Sequence, residues 1–534
     1  MCVMKLSDHD LLQLDEEYLS SLPSDALLSV SRKLLLDLKE SRERLNQTPD
    51  NSSQPPSSRP PFIGIPMEGD DAEDSDEDDQ VDHPNNEDKT EDEEGFPGST
   101  ADPESSESEE KASDTPPRKP KGKAGKPVGA QGFGRTQKIP IQREIIHQAE
   151  RCAACDATFP SNARFTARFG YVTVDLIRGS TDQPGLKLDC TKHLFGDISC
   201  ACGHITRTSP GIGDRLEVEG RKTKTCLSEW RLAGPMLATF IVALAKRMRL
   251  SRPKIREFLI DWFGLKLGVG TIDNCIREAG LAADPIQDEL IAELRKSTLA
   301  HVDETPWKEK GRALWLWVFV TANIVLFCVG RRTQQMVLDI LTAEYAGWLM
   351  SDGLMNYRIF LMRLRCWAHL IRKAKGLSTS LDKDSKQFGN RVLELLEFMV
   401  KEVKDGPDPP TFEPILEAFK EYCELFRDDA PTEKVRRLAV EFLNDWDVIW
   451  HPLRFPELPL TNNEAERALR HWVIARLISH GTRTAEGSRV LSVLASVIET
   501  CRKRNVSPWD YLAKVIEERR KGNPVPPLPA PMPS

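Results

Sequence analysis

The most constraining part of the chain runs from residue 299 to residue 369. Leu299-Ala-His-Val-Asp303-Glu304-Thr305 is a short apolar run that ends in acid. Residues 314–320 and 324–329 are apolar, aromatic and β-branched, and Thr-Ala-Asn separates them, which is the composition of a hairpin. Residues 333–345 carry helical periodicity. Trp348-Leu-Met-Ser-Asp352-Gly353 is a second apolar run ending in acid, and residues 364–369 read as a fifth strand entering a helix. The expected order is β-β-β-α-β-α-β, with acids closing the first and fourth strands. Runs this apolar need a mixed α/β layer to bury them.

Two aspartates at neighbouring strand ends have a chemical use. Two Mg2+ ions about 3.5–4 Å apart clamp the attacking and leaving oxygens of a phosphodiester displacement. Mg2+ favours a few carboxylates completed by water and substrate oxygens. The strand order is that of an RNase H-like fold, so Asp303 and Asp352 are expected to bridge such ions. Glu304 follows Asp303 directly, and strand side chains alternate, so one of the two points into the site. A third carboxylate is offered by Thr461-Asn-Asn-Glu464-Ala-Glu466-Arg467-Ala-Leu-Arg470, a helix whose apolar stripe is Ala465, Ala468, Leu469 and Trp472. Glu464 and Glu466 flank that stripe about 200° apart. Asn463 and Arg470 lie beside Glu466, and Arg467 and His471 beside Glu464. Helical spacing leaves both glutamates open, and a solvated amphipathic helix with ordinary i,i+4 pairs has the same pattern.

Charge is spread unevenly along the 534 residues. Between Glu68 and Asp114, 22 acidic residues stand against Lys89 and Lys111, so this block carries −20 of a formal −9 and the remainder carries +11. The total argues against a nucleic-acid partner and the remainder does not. The block, the Asn/Ser/Pro-rich stretch 48–61 and the basic run 118–126 cannot build a core. The basic run reads as a solvated linker or as a phosphate neutraliser, and a tethered polyanion competes with DNA for basic surfaces. Residues 9–47 read as a helix with Leu27, Leu34, Leu38 and Leu45 at heptad-like spacing. That spacing suits a short zipper or a helix packed on its own domain. The N-terminal residues lack a basic stretch before an apolar core, which argues against secretion. Thr321 and Asn323 interrupt the apolar run 313–329, which favours two strands over a membrane span.

Twelve cysteines are too few for a disulfide scaffold. Cys152-Ala-Ala-Cys155 and Cys200-Ala-Cys202 resemble the two knuckles of a zinc ribbon, with four thiolates for one tetrahedral ion. The pairs are 44 residues apart, wider than a common ribbon. Cys190, His193 and His204 are competing ligands, and buried thiols are the alternative without metal. Residues 232–249 then form an apolar helix. Ser251 caps a second helix, 253–263, which stops at Gly264, and Gly268-Val-Gly-Thr271 opens a third, 272–279. Helix, short Gly-containing turn and helix is the spacing of a helix-turn-helix, shared with small helical bundles. Lys254, Arg256, Lys266 and Arg277 lie close by. The 113 residues between Asp352 and Glu466 contain amphipathic helices, one marked by Val392, Leu395, Leu396, Met399 and Val403, another by Ala439, Phe442, Leu443 and Trp446. They read as an all-helical insertion that holds the glutamate-bearing helix or contacts DNA.

Together, HVDET (301–305), Ser351-Asp352-Gly353 with Tyr357, Cys366-Trp-Ala-His369, Asn462-Asn463-Glu-Ala-Glu-Arg-Ala-Leu-Arg470 and the closing stretch SVLASVIET (492–500) with Asn505, Pro508 and Tyr511-Leu512 resemble the transposases of the insertion-sequence sixty-six family. That family is similar to the wider DDE transposases. Residues 34–61, the cysteine module and the helix-turn-helix also follow the family's order, so the resemblance covers about two thirds of the chain. Residues and resemblance together give a multidomain α/β protein. Its expected parts are an N-terminal helical or coiled-coil region (1–48), a disordered acidic then basic linker (49–138), a zinc-binding module (139–227) and a helix-turn-helix domain (228–285). An RNase H-like catalytic core (286–376 and 459–520) follows, split by the helical insertion (377–458), and a Pro-rich tail (521–534) ends the chain.

The resemblance implies that Asp303, Asp352 and Glu466 are catalytic and hold two Mg2+ or Mn2+ ions. It implies structural Zn2+ on Cys152, Cys155, Cys200 and Cys202, and accessory, positioning roles for Cys366, His369, Asn462 and Asn463. Arg467, Arg470, Arg476 and Arg483 are expected phosphate contacts beside the helix-turn-helix residues, although Arg476-Leu-Ile stands where many relatives carry Arg-Lys-Asn. The implied function is that of a bacterial insertion-sequence transposase that binds terminal inverted repeats, cleaves DNA and transfers strands. Its expected partners are transposon-end and target DNA, further copies of itself in a synaptic complex, and accessory proteins of the same element. No membrane is expected, and the expected place is the bacterial cytoplasm at the nucleoid. The alternatives are a catalytically inactive DNA-binding relative and an RNase H-like nuclease without strand transfer.

Overall fold

The computed structural model describes residues 16–45, 137, 139–180, 182–211, 217–218, 221–222 and 225–531. The acidic block 68–114, the basic run 118–126, the stretch 48–61 and the start of the expected N-terminal helix lie outside the described residues. Every element below belongs to one unit of the chain, residues 1–61 with 139–534. Among the described residues, no helix is long and apolar enough to cross a membrane.

Where one helix is expected over 9–47, the described residues form two, α1 (Glu16–Ser21) and α2 (Ser24–Leu45). Pro23 explains the break, because its ring lacks an N–H and drives the preceding Leu22 out of the helical region. Leu27, Leu38 and Leu45 stand exposed on α2. The far end of α2 is anchored: Glu43 accepts from Ser380 Oγ at 2.5 Å and from Lys434 Nζ at 2.7 Å.

A four-stranded sheet follows, built from β1 (Arg143–His147), β2 (Phe165–Arg178), β3 (Leu186–Ser199) and β4 (Ile205–Arg207), with order β1-β3-β2 and β4 on β3. Strands β2 and β3 are 14 residues each and pair antiparallel. This long hairpin fills the gap between the two cysteine pairs, which is why their spacing exceeds that of a small ribbon. The two-residue strands β5 (Glu217–Val218) and β6 (Arg221–Lys222) pair with each other. Four helices come next: α3 (Pro235–Lys246), α4 (Arg252–Phe263), α5 (Val269–Ala282) and α6 (Ile286–Leu294). Ser251 caps α4 by accepting from Lys254 N, and Gly264 ends it at φ +61°, a conformation in which a Cβ is disfavoured.

The central sheet contains β7 (Leu299–Glu309), β8 (Arg312–Val320), β9 (Val325–Gly330), β10 (Trp348–Ser351) and β11 (Arg363–Arg365), with α7 (Gln334–Leu341) between β9 and β10. The strand order is β11-β10-β7-β8-β9. Strands β7, β8 and β9 are antiparallel, and β10 and β11 run parallel to β7. Two expectations need correction here. No α-helix lies between β10 and β11; Met355–Tyr357 is a single 3₁₀ turn, because the link is too short for a helical crossover. Asp303 does not end its strand. Pairing with β10 stops at His301, but β7 continues against β8 as far as Glu309.

The sheet is covered on both faces. Ala300, Val302, Trp317, Phe319 and Leu326 pack against α5, α6 and the last two helices, whereas Trp307, Leu316, Val318, Val320 and Phe327 pack against Ala465, Leu469 and Trp472. Between β11 and that second covering helix lie α8 (Trp367–Ser378), α9 (Lys383–Asp405), α10 (Pro409–Asp428), α11 (Glu433–Asn444) and α12 (Trp446–Arg454), which share a core of their own. The chain closes with α13 (Asn463–Ser479), α14 (Ala485–Lys503) and α15 (Pro508–Arg520).

One buried ion pair binds the last helix to the first helical layer. Arg520 on α15 donates to both oxygens of Glu278 on α5 at 2.9 and 2.8 Å, and both side chains are buried. Removing one partner leaves the other charge buried and unpaired, a loss of about 3–5 kcal/mol. Glu278→Ala is therefore expected to lower the urea-unfolding free energy by about that amount. A change of a few tenths would mean that water or a neighbour replaces the carboxylate.

Candidate active site

Alternation along β7 decides which acid faces which helix. Asp303 pairs with Val318 and Glu304 with Trp317, and residues directly opposite on antiparallel strands share a face. Val318 packs against α13, and Trp317 against the other layer. Asp303 therefore points to the side of α13, and Glu304 points away from it. On the neighbouring strand, Met350 is level with His301, which brings Asp352 level with Asp303 just past the end of β10. Asp352 accepts from Leu354 N at 3.0 Å and is followed by Gly353 at φ +107°.

Helix α13 brings Glu466 to the same face and sends Glu464 elsewhere. Glu464 pairs with Lys503 at 2.9 Å and Arg467 at 3.3 Å. Glu466 Oε1 accepts from Arg372 Nη2 at 3.0 Å and lies 3.8 Å from His369 Nδ1. Burial pushes the Asp303 carboxyl well above the ordinary carboxylate range, and the charges of Asp352, Glu304 and Glu466 push it further. One N–H, from Glu304 at 2.9 Å, opposes them. Burial and the Asp352 charge also raise Glu304, which is partly held down by Tyr357 Oη (2.6 Å) and by Arg332 (2.7 Å). Arg332 lies over the Trp315 ring, 4.2 Å from its centre. Among the described residues, no ion pair engages Asp303 or Asp352, whereas each flanking glutamate has an arginine.

The other expected residues fall in different settings. Asn462 is fully buried, donating to Val302 O at 2.7 Å and facing His301 Nδ1 at 3.2 Å. Its N–H meets Cys366 Sγ at 3.2 Å. Cys366 is buried at the start of α8, and Asn463 is exposed at the start of α13. Burial and the nearby Arg372 lower the His369 imidazole from its usual value. Arg467, Arg470 and Arg483 are exposed, as are Lys254, Arg256 and Lys266. Arg277 instead pairs with Asp273 at 2.7 Å and Glu486 at 3.0 Å. Arg476 donates to Thr305 Oγ1 at 2.7 Å and Pro306 O at 2.5 Å, tying α13 to β7. Arg332 and Arg372 had no sequence signal, apart from Arg372 lying one turn beyond His369 on the same helix face.

The four cysteines meet at the turn ends of the first sheet. Cys152 Sγ is 3.7 Å from Cys202 Sγ, and Cys155 Sγ is 3.6 Å from Cys200 Sγ, with all four within 4.8 Å of one another. Backbone N–H groups of Cys155 and Ala154 pull the Cys152 thiol down to about 6. Cys190 is buried in the main core, His193 meets His147 at 2.8 Å, and neither belongs to the four-sulfur group. His204 lies outside it as well.

The raised Asp303 carboxyl has a consequence for stability. A group whose folded value lies above its unfolded value of about 3.9 stabilises the fold below the unfolded value, and that contribution is lost as pH rises through the folded one. Asp303→Asn removes the penalty, so in chelator-treated buffer at pH 7 it is expected to melt a few °C higher than the unaltered protein. The gain should close as the pH approaches 4. Equal midpoints at pH 7 would mean that the carboxylate is hydrated.

Residues 232–490, which include all three of these carboxylates and helices α3 to α13, match the family model described as Transposase IS66 family. A relative in Sinorhizobium fredii (strain NBRC 101917 / NGR234), "Uncharacterized protein y4jO", is 27% identical over 168 residues, 31% of this chain and 50% of the relative. The match therefore spans half of that relative's length. With the strands of the central sheet, the acids and the helix that carries Glu466 inside the matched span, residues 232–490 of this chain form a domain of the IS66 transposase family.

Proposed function

We propose that the protein is a DNA transposase whose catalytic triad is Asp303, Asp352 and Glu466. The observation that carries this reading is the convergence of three carboxylates on one side of the sheet, with no cation given to either aspartate among the described residues. A donor set of carboxylate oxygens whose ionised form is opposed by its neighbours suits hard divalent cations. Mg2+ or Mn2+ held by these residues supplies, when bound, positive charge to the attacking and leaving oxygens of a phosphodiester. The strand order β11-β10-β7-β8-β9 supports an RNase H-like core.

The chain's own groups orient the reaction. Arg372 fixes one oxygen of Glu466, and Asn462 holds the start of α13 to β7. In the first step a water oxygen bonds to phosphorus, the P–O3′ bond breaks, and the transposon end keeps a 3′-hydroxyl. In the second, that hydroxyl oxygen bonds to a target-strand phosphorus while the target's P–O3′ bond breaks and leaves a new 3′-hydroxyl. Water's proton and then the attacking hydroxyl's proton pass to solvent, and each departing O3′ takes one proton from solvent to become the hydroxyl.

Recognition of transposon ends is assigned to α4, its turn and the exposed start of α5, with Lys254, Arg256 and Lys266 on phosphates. Arg467, Arg470 and Arg483 extend that role near the triad. The four cysteines are assigned to structural Zn2+: a tetrahedron with Zn–S bonds of about 2.3 Å has sulfurs about 3.8 Å apart, close to the 3.6 and 3.7 Å separations present here. Synapsis of two ends calls for a homo-oligomer, and a bacterial nucleoid is where such substrates lie.

The test combines purified protein, pre-cleaved end DNA, a target plasmid and Mg2+ or Mn2+. Joined product is expected from the unaltered chain, with a fall of at least about a hundredfold in Asp303→Asn and Asp352→Asn, given the several kcal/mol that metal-supported charge stabilisation contributes. DNA binding with no chemistry would identify an inactive relative. Cleavage without joining would identify a nuclease.

A further inference from the structure

Beside the triad lies a second set of ligand atoms of different chemistry. Cys366 Sγ, a ring nitrogen of His369 and a carboxylate oxygen of Glu466 all lie within 4.8 Å of one another. His369 Nδ1 is buried and has no hydrogen-bond partner among the described residues. Its 3.8 Å separation from Glu466 Oε1 is too long for a hydrogen bond. Two metal–ligand bonds of about 2.0–2.2 Å span that gap.

We infer that Cys366, His369 and Glu466 form a binding site for one thiophilic divalent cation of the Zn2+ type, separate from the four-cysteine cluster. Cys366 caps α8 and His369 lies in its first turn, so one helix end presents a sulfur and an imidazole together. Burial raises the Cys366 thiol, and the Asn462 N–H at 3.2 Å opposes that rise. Arg372, one turn further along, donates to Glu466 Oε1 at 3.0 Å and fixes the carboxylate beside His369, and that oxygen keeps a second lone pair for a metal. Three protein ligands of mixed type with an open fourth position differ from a closed four-sulfur site. Soft and hard ligands also sort metals: sulfur and imidazole select Zn2+, whereas carboxylate pairs suit Mg2+. The functional consequence rests on the triad reading above. A Zn2+ ion on Cys366 and His369 recruits Glu466 away from Asp303 and Asp352, so traces of Zn2+ switch off the Mg2+-supported reaction.

The experiment uses the full chain, stripped with a chelator and titrated with Zn2+ against a chromophoric competitor. Two equivalents are expected for the unaltered protein. Cys366→Ser and His369→Ala should each lose one equivalent and keep the other, whereas Cys152→Ser should lose the opposite one. Co2+ loading gives a second readout, with a four-thiolate spectrum retained in His369→Ala while the one-thiolate component disappears. His369→Ala leaves the buried sulfur packed, so it remains informative if the Cys366 variant fails to fold. Two equivalents retained in His369→Ala, or a single equivalent that only Cys152→Ser removes, would overturn the site. These counts do not depend on DNA chemistry, so a failed strand-transfer assay leaves them intact. In an active preparation, micromolar Zn2+ added over Mg2+ should suppress joining by the unaltered chain more than tenfold. His369→Ala should lose less than half of its own zinc-free rate, and equal suppression of both proteins would overturn the inhibitory role.

Discussion

One buried side chain, Asn462, holds the candidate site together. It donates to Val302 O on β7, faces His301 Nδ1, gives its backbone N–H to Cys366 Sγ and offers its carbonyl to Glu466 N at 3.2 Å. These contacts reach the strand that carries Asp303, the residue that opens α8, and the first turn of the helix that carries Glu466. A buried amide left half-paired costs about 1–3 kcal/mol, so the three elements meet in one discrete arrangement. The polar group therefore selects a geometry that apolar packing alone would leave free to slide.

The edges of the central sheet are managed by two different devices. At β9, Ser496 and Thr500 of α14 accept from Phe327 N at 2.8 Å and Val325 N at 3.0 Å. Hydroxyls four residues apart on one helix thus satisfy an edge strand's free amides, which would otherwise invite pairing with another chain. At β11, Arg363 and Arg365 meet Asp445 and Glu441 from the helical layer α8–α12. Arg365 is fully buried, and its guanidinium occupies the space where a Cβ on Gly353 would stand. Glycine after Asp352 is thereby explained by packing as well as by its φ. The helical layer and the Asp352 loop are consequently joined through one arginine.

What was legible in the sequence was local. The strands of the central sheet stand out because apolar and β-branched runs are bounded by turn residues, and Ser251 and Gly264 bracket α4 because capping is a short-range effect. Pro23 also acts locally, and its break between α1 and α2 overrides the leucine spacing that suits one continuous helix. The choice between Glu464 and Glu466 was not local. Both flank the same apolar stripe, and only the position of α8, roughly a hundred residues earlier in the chain, gives Glu466 its arginine. The same holds for the stretched cysteine spacing, which a 14-residue hairpin explains and no motif encodes.

The distribution of cations around the acids has its own logic. Four carboxylates, Asp303, Glu304, Asp352 and Glu466, gather where β10 ends beside the middle of β7, and burial opposes the charge of those it encloses. A fold selected for stability alone would give each an arginine or replace it with an apolar residue. Instead, Arg332 goes to Glu304 and Arg372 to Glu466. The described residues offer the aspartates backbone N–H groups only, from Glu304 to Asp303 and from Leu354 to Asp352. The fold thus neutralises the flanking acids and leaves negative charge concentrated between the two strands. Such unpaired charge is costly in a folded protein, and titratable groups perturbed in this way cluster at functional sites. That withheld pairing, more than the identity of any one acid, separates this arrangement from an ordinary cluster of surface carboxylates.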